Sequence, residues 1–192
     1  MSKIVLTYDD GPDTRWTLPL LEVLERHNVR ATFFMIGRFV ATRPEIARAV
    51  ASAGHAIGNH TFNHPDLTRL FTDTQIDDEL EQCERALTHV VGAHSNLFRP
   101  PYGWSNPKVE NVALLRGLKM VKWDADGEDW ILPKSAKDVE RLIASKVHTD
   151  SIVLLHDGYH EEIGADRSAS VEATELLISR YKREGFEFVQ CW

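Results

Sequence analysis

Short apolar runs alternate along this chain with longer stretches in which apolar positions recur at helical spacing. Lys3 to Tyr8 reads as a buried strand, and Leu18, Leu21, Val23 and Leu24 mark a short amphipathic helix that stops near His27-Asn28. Ala31 to Ile36 is a second strand, rich in β-favouring residues. Pro44 suits the first position of a helix through Ala53, with Gly54 as its stop, and His55 to Gly58 forms a short third strand. The clearest helix begins at Thr72, where Thr72 and Gln75 spell a capping box and Phe71 is placed to staple onto Ile76. Ile76, Leu80, Cys83, Leu87 and Val90 continue its apolar stripe to Val91.

The second half repeats the alternation. Strands are expected at Leu97 to Arg99, Lys119 to Trp123, Ser151 to Leu155 and Glu187 to Val189. Helices are expected near Pro107 to Arg116, Ser135 to Lys146 and Ser170 to Glu184. This is an α/β chain of about seven β/α units, short of the ~250 residues of a full eightfold barrel. A distorted or incomplete (β/α) barrel is expected, as one domain over residues 1–192. A flat doubly wound sheet is the alternative, but the glycine patterns that cradle nucleotide phosphates are absent.

Composition narrows the function. A formal net charge of -7 argues against nucleic-acid binding, which needs a basic patch, and is compatible with a neutral substrate such as a sugar. No apolar run is long enough to span a bilayer. Ile4-Val5-Leu6 is too short for a signal-peptide core, so the chain as written is expected in the cytoplasm. A secreted domain whose signal has been removed would read the same. Cys83 and Cys191 make no disulfide framework, and oligomeric state is not readable.

The chemistry lies in polar clusters that follow the strands, which a β/α chain gathers on one face. Asp9-Asp10-Gly11-Pro12 is turn-like, yet adjacent carboxylates repel unless a cation or arginine neutralises one. His60 and His64 would share a face on a single helical turn, although Pro65 disfavours helix at His64. With Asp10 they make a set of two histidines and one carboxylate that leaves positions open for water and substrate. Zinc is the default ion, and cobalt, nickel or iron would accept the same ligands. Arg99-Pro100-Pro101-Tyr102 is a stiff loop whose arginine suits Asp9 and whose Tyr102 N–H suits an oxyanion. Asp124 to Trp130 is an acidic loop ending in an indole placed to wall a pocket. If Asp126 reaches His156, it favours the imidazolium that a departing amine requires. His160 and Glu161-Glu162 follow with no readable role.

Taken in order, these segments resemble the polysaccharide deacetylase family, also called the NodB-homology domain or carbohydrate esterase family 4. The resemblance runs from Thr7 to His156, with Tyr8 where phenylalanine is usual. It implies a catalytic domain on a distorted (β/α) barrel that removes acetyl groups from N-acetylglucosamine oligomers or polymers of the chitooligosaccharide or peptidoglycan type. It implies Asp9 as general base, Arg99 as its partner, His156 as general acid and Asp126 as the carboxylate that tunes it. It implies one divalent ion on Asp10, His60 and His64, an oxyanion donor at Tyr102, and an acetyl-methyl pocket of Trp130 and Leu154. An acetylxylan esterase or another acyl hydrolase is the nearest alternative. A non-catalytic sugar-binding domain would be expected to have lost one of these groups. Trp16, Trp104 and Trp130 are candidates for stacking on sugar rings.

Overall fold

Parallel strands joined by helices set the architecture, in a computed structural model that describes residues 2–69, 72–92, 94 and 96–191. The first strand, β1 (Lys3–Gly11), is buried along nearly its whole length, as expected of a strand covered on both faces. It is followed by α1 (Thr17–Arg26), β2 (Thr32–Met35), α2 (Gly37–Thr42), α3 (Pro44–Ser52), β3 (Ala56–Asn59) and α4 (Asp73–Val91). Next come β4 (Leu97–Phe98), a 3-10 turn (Pro101–Gly103), α5 (Pro107–Leu115), β5 (Lys119–Met120) and β6 (Ala125–Asp126). The chain closes with α6 (Ala136–Ala144), β7 (Ser151–His156), α7 (Ser168–Arg183) and β8 (Glu187–Val189).

The strands pair in the order β5-β4-β3-β2-β1-β7-β6, all parallel, and β8 adds to the start of β1. The sheet curls into an incomplete barrel. Among the described residues no pairing joins β5 to β6, so it stays open there. The expected distorted (β/α) barrel is therefore the observed one, and a flat sheet is not.

Sequence periodicity located most elements. The short α2 and β6 were not anticipated, and β4 and β5 are shorter than their apolar runs suggested. The Thr72 capping box forms on both sides: the Thr72 side chain accepts from the Gln75 N–H, and the Gln75 side chain accepts from the Thr72 N–H. The Phe71 staple lies outside the described residues.

The main core lies between the sheet and its helices, where Leu6, Tyr8, Phe33, Val153 and Leu155 meet Leu24, Leu87, Leu177 and Ile178. Tyr8 shows why a tyrosine is tolerated there. Its ring stacks on Phe33 at 5.1 Å, and its hydroxyl lies 2.9 Å from Thr174 Oγ1, so the added oxygen is not left unpaired.

Two glycines let the strand ends approach closely. A Cβ on Gly11 would collide with the Asp157 carboxylate, and one on Gly158 with the backbone carbonyl of Asp10. Gly158→Ala is expected to destabilise the fold by about 1–3 kcal/mol through overpacking. Thr72→Ala, which removes one cap, is expected to lower stability by about 1 kcal/mol. Urea unfolding midpoints at constant slope check both.

Candidate active site

Because every strand runs the same way, their C-terminal ends gather the chemistry. Asp9 and Asp10 end β1, His60 follows β3, Arg99 follows β4, and His156 is the last residue of β7. The β1–β7 register sets Asp9 directly beside His156, and Thr7 beside Leu154. Against β2 the register slips between Asp9 and Gly11, leaving Asp10 as the extra residue of a bulge with φ 71°. Bulges re-aim side chains. Here the bulge separates two neighbouring carboxylates.

Asp9 Oδ1 accepts from Arg99 Nη1 at 2.8 Å. Arg99 is fully buried and over-determined: Nη1 also donates to Thr7 Oγ1 and Nε to the Val121 carbonyl, and its guanidinium lies 4.2 Å from the Phe34 ring. Such a planar fork, held at several points, fixes the orientation of the carboxylate it binds.

Asp10 faces imidazoles instead. Burial pushes its carboxyl up, but His160, His60 and His64 outweigh that and hold it well below the ordinary carboxylate range. Burial also keeps His64 below the ordinary imidazole value, against the opposing pull of Asp10. An ionised carboxylate beside a neutral imidazole is the protonation state that metal binding needs.

The donor positions fit a cation as well. Asp10 Oδ1 is buried without a hydrogen bond, yet it lies 3.4 Å from His60 Nε2 and 3.2 Å from His64 Nε2. Donor atoms around a tetrahedral ion with bonds of about 2.0–2.1 Å stand about 3.3–3.4 Å apart. His60 Nδ1 meets the Arg99 carbonyl at 2.7 Å, which fixes the tautomer and leaves Nε2 free to face Asp10. His160 joins the group: Asp10, His64 and His160 offer ligand atoms that all lie within 4.8 Å of one another. A divalent ion therefore suits these residues.

The two histidines do not share a helical turn. Residues 60–64 form a loop, with Thr61 at φ 65° and His64 at φ 64°. Glu79 of α4 holds this loop, accepting from the N–H groups of Phe62 and Asn63 at 3.0 and 2.8 Å. Asn59 and Thr61 add bonds to the backbone N–H groups of Thr61 and His64. Tyr102 is left-handed too, at φ 60°. Such residues cost about 1–3 kcal/mol each and persist only where neighbours impose them.

The partner of His156 is Asp129, not Asp126. Asp129 Oδ1 meets His156 Nδ1 at 2.9 Å, and its Oδ2 accepts from the His156 backbone N–H and from Ser170 Oγ. Asp126 ends the edge strand β6 and pairs with Lys146 Nζ at 3.1 Å. The physical reason is burial: Asp129 is 1% exposed and needs a cation, whereas Asp126 reaches a lysine at the sheet margin. Burial opposes charge on His156, but Asp129, Asp10 and Asp9 overcome it and raise its pKa to about 9.

Asp9, Asp10, His60, His64, His156 and His160 line one cavity of about 430 Å³, together with Tyr102, Trp104, Trp123, Trp130, Leu154 and Tyr159. Trp130 stands edge-on to His156 at 5.4 Å and remains 41% exposed. Trp104 packs by Tyr102 at 4.8 Å and is 51% exposed. Trp16 lies outside the cavity, beneath Arg15. Trp123 and His160 line it without having been singled out from the sequence as site residues.

Residues 1–121 match the polysaccharide deacetylase family. A chitooligosaccharide deacetylase of Bradyrhizobium sp. (strain ANU 289) is 38% identical over 191 residues, covering 96% of this chain and 86% of that protein. The crystal structure of a peptidoglycan N-acetylglucosamine deacetylase in complex with 4-naphthalen-1-yl-N-oxidanyl-benzamide superposes with a TM-score of 0.91 at 31% identity, over 98% of this chain and 85% of that one. A family 4 pseudoenzyme from Bacillus anthracis superposes with a TM-score of 0.89 at 25% identity, over 98% of this chain and 63% of that one.

Asp129 and Asp126 are separable by titration. The raised pKa of His156 keeps its imidazolium form below about pH 9 and loses it above. Asp129→Asn removes the charge that raises this pKa while burial still lowers it. The basic limb of the kcat/KM profile is then expected to move to lower pH by more than one unit. Asp126→Asn is expected to leave the limb in place.

Proposed function

Because the chain belongs to the polysaccharide deacetylase family, we propose that it is a metal-dependent hydrolase. It removes N-acetyl groups from N-acetylglucosamine-containing oligosaccharides or polysaccharides and releases acetate. A pseudoenzyme relative on the same fold leaves activity to be argued from this chain's own side chains. The observation that carries the reading is the Asp9–His156 register pair beside the Asp10–His60–His64 cluster in one cavity.

A bound divalent ion, zinc by default, supplies Lewis-acid polarisation of the acetamide oxygen and a more acidic water. Asp9 takes a proton from the attacking water, and Arg99 holds that carboxylate aimed. The Tyr102 N–H, at the tip of its left-handed turn, donates to the oxygen that gains charge. His156 delivers a proton to the departing nitrogen, while Asp129 holds the ring and stabilises its charge. Trp130 and Leu154 close around the acetyl methyl and exclude water there. Trp104, exposed at the rim, offers a face to a sugar ring.

An imidazole that stays protonated favours an amide over an ester. An amine leaves poorly unless protonated, whereas an alkoxide is the better leaving group, so an imidazolium that persists to about pH 9 is best matched to nitrogen. Acetylated xylan is the competing substrate that the assay includes.

Mass spectrometry of N-acetylglucosamine oligomers is expected to show acetyl loss that a chelator abolishes and added metal restores. Asp9→Asn and His156→Ala are each expected to lower turnover by about 10²–10⁴-fold with metal retained. His60→Ala is expected to lose the metal. Near-parental turnover in Asp9→Asn or His156→Ala refutes the assigned roles. Acetyl release from xylan alone replaces the amide reading with an ester one.

A further inference from the structure

His160 lies beyond the last sequence cluster, in the loop after β7, with its backbone N–H and one ring nitrogen turned to Asp10. Its backbone N–H lies 3.3 Å from Asp10 Oδ2, and its ring Nδ1 lies 3.4 Å from the same oxygen. Its other ring nitrogen, Nε2, lies 3.3 Å from the Tyr102 hydroxyl. The ring stacks on His64 at 4.0 Å with a 19° interplanar angle. The loop itself is tied down, since Arg38 donates to the His160 carbonyl and Arg167 Nε to the Gly158 carbonyl at 2.8 Å.

These contacts divide the labour of one carboxylate. Oδ2 of Asp10 is occupied by two donors from His160, whereas Oδ1 is buried, without a hydrogen bond, and faces His60 and His64. A carboxylate free to rotate could offer either oxygen, or both, to an ion. One whose second oxygen is clamped presents a single atom in a single direction. Hydrogen-bond partners of this kind commonly set ligand orientation and carry about 10–100-fold in metal affinity.

We propose that His160 is a positioning residue for the metal site: it clamps Asp10 Oδ2 so that Oδ1 alone faces the ion, and it ties this clamp to Tyr102. The inference rests on the metal reading given above. With hydrogen on Nδ1 for Asp10, the Nε2 lone pair accepts from the Tyr102 hydroxyl. One tautomer therefore serves both contacts. It links the residue that orients a ligand to the residue proposed to receive the oxyanion.

Cobalt(II) supplies the test, because its visible spectrum reports the coordination sphere independently of turnover. Co²⁺ affinity is measured by competition with a chelator of known strength, and spectra are recorded at saturation, for the parent, His160→Ala, His160→Gln and His60→Ala. His160→Ala is expected to bind Co²⁺ about 10–100-fold more weakly, and His160→Gln is expected to keep the parent's saturated spectrum. His160→Gln, which keeps a side-chain donor, is expected to recover most of the loss and so separates clamping from any general damage to the loop. His60→Ala is expected to change the spectrum or lose the ion.

Affinity in His160→Ala within about twofold of the parent overturns the inference. A changed saturated spectrum in His160→Gln, which keeps the donor to Asp10, also overturns it, because His160 would then be a direct ligand. A parent that takes up no Co²⁺ overturns the metal reading itself and this inference with it.

Discussion

Two adjacent carboxylates, both buried at the end of one strand, are the constraint that the rest of the site answers. Each buried charge carries a penalty of several kcal/mol unless it is paired and hydrogen-bonded. The chain resolves the pair by bulging β1 at Asp10, so that the two side chains diverge. Asp9 turns to a fully buried arginine, and Asp10 turns to imidazoles. Asp129 adds a third buried carboxylate beside His156, while burial raises Asp157 to about 7, so that it need not carry full charge. Asp9 is met by the Arg99 guanidinium and Asp129 by the His156 ring, whereas Asp10 faces the imidazoles of His60, His64 and His160, and its unpaired Oδ1 is where a cation would fit.

The strain in the backbone has the same origin. Asp10, Thr61, His64 and Tyr102 all adopt left-handed conformations without being glycine; Asp10, His64 and Tyr102 line the cavity, and Thr61 accepts from the His64 N–H. A helical turn would have carried His60 and His64 on one face, but Pro65 disfavours helix at His64 and a single turn leaves its first N–H groups without internal partners. The loop instead surrenders those groups to Glu79. A buried carboxyl group on α4 thus holds the loop between the two histidines, and its hydrogen bonds offset the strain.

Much of the architecture was legible because strand ends and helix caps leave local marks. The alternation of apolar runs, the Thr72 capping box and the order of the polar clusters each depend on residues close in sequence. What was not legible depended on contacts between distant segments. The choice between Asp126 and Asp129 is settled by which one β7 and Ser170 enclose, and the two are only three residues apart in an acidic loop. His160 carries no motif of its own. It reaches Asp10 only because Gly158 lets its loop pass against the β1 backbone. The helix α2 is too short to show a period, and β6 is defined by pairing with β7 rather than by an apolar run.

The opening in the sheet gives the site a direction. Asp9 leans toward Arg99 beyond β4, and His156 leans toward Asp129 beyond β6, so the proposed base and acid are anchored toward opposite ends of the strand order. The strands that flank the unpaired side are β5 and β6. Trp104 follows the β4 turn, Trp123 follows β5, and Trp130 follows β6, so the indoles of the cavity come from the loops on either side of this opening. An extended chain of sugars laid across the opening would meet aromatic faces on both sides and place one substituent between acid and base. Among the described residues the unpaired side of the sheet therefore lies between the loops that bring Trp104, Trp123 and Trp130 to the cavity.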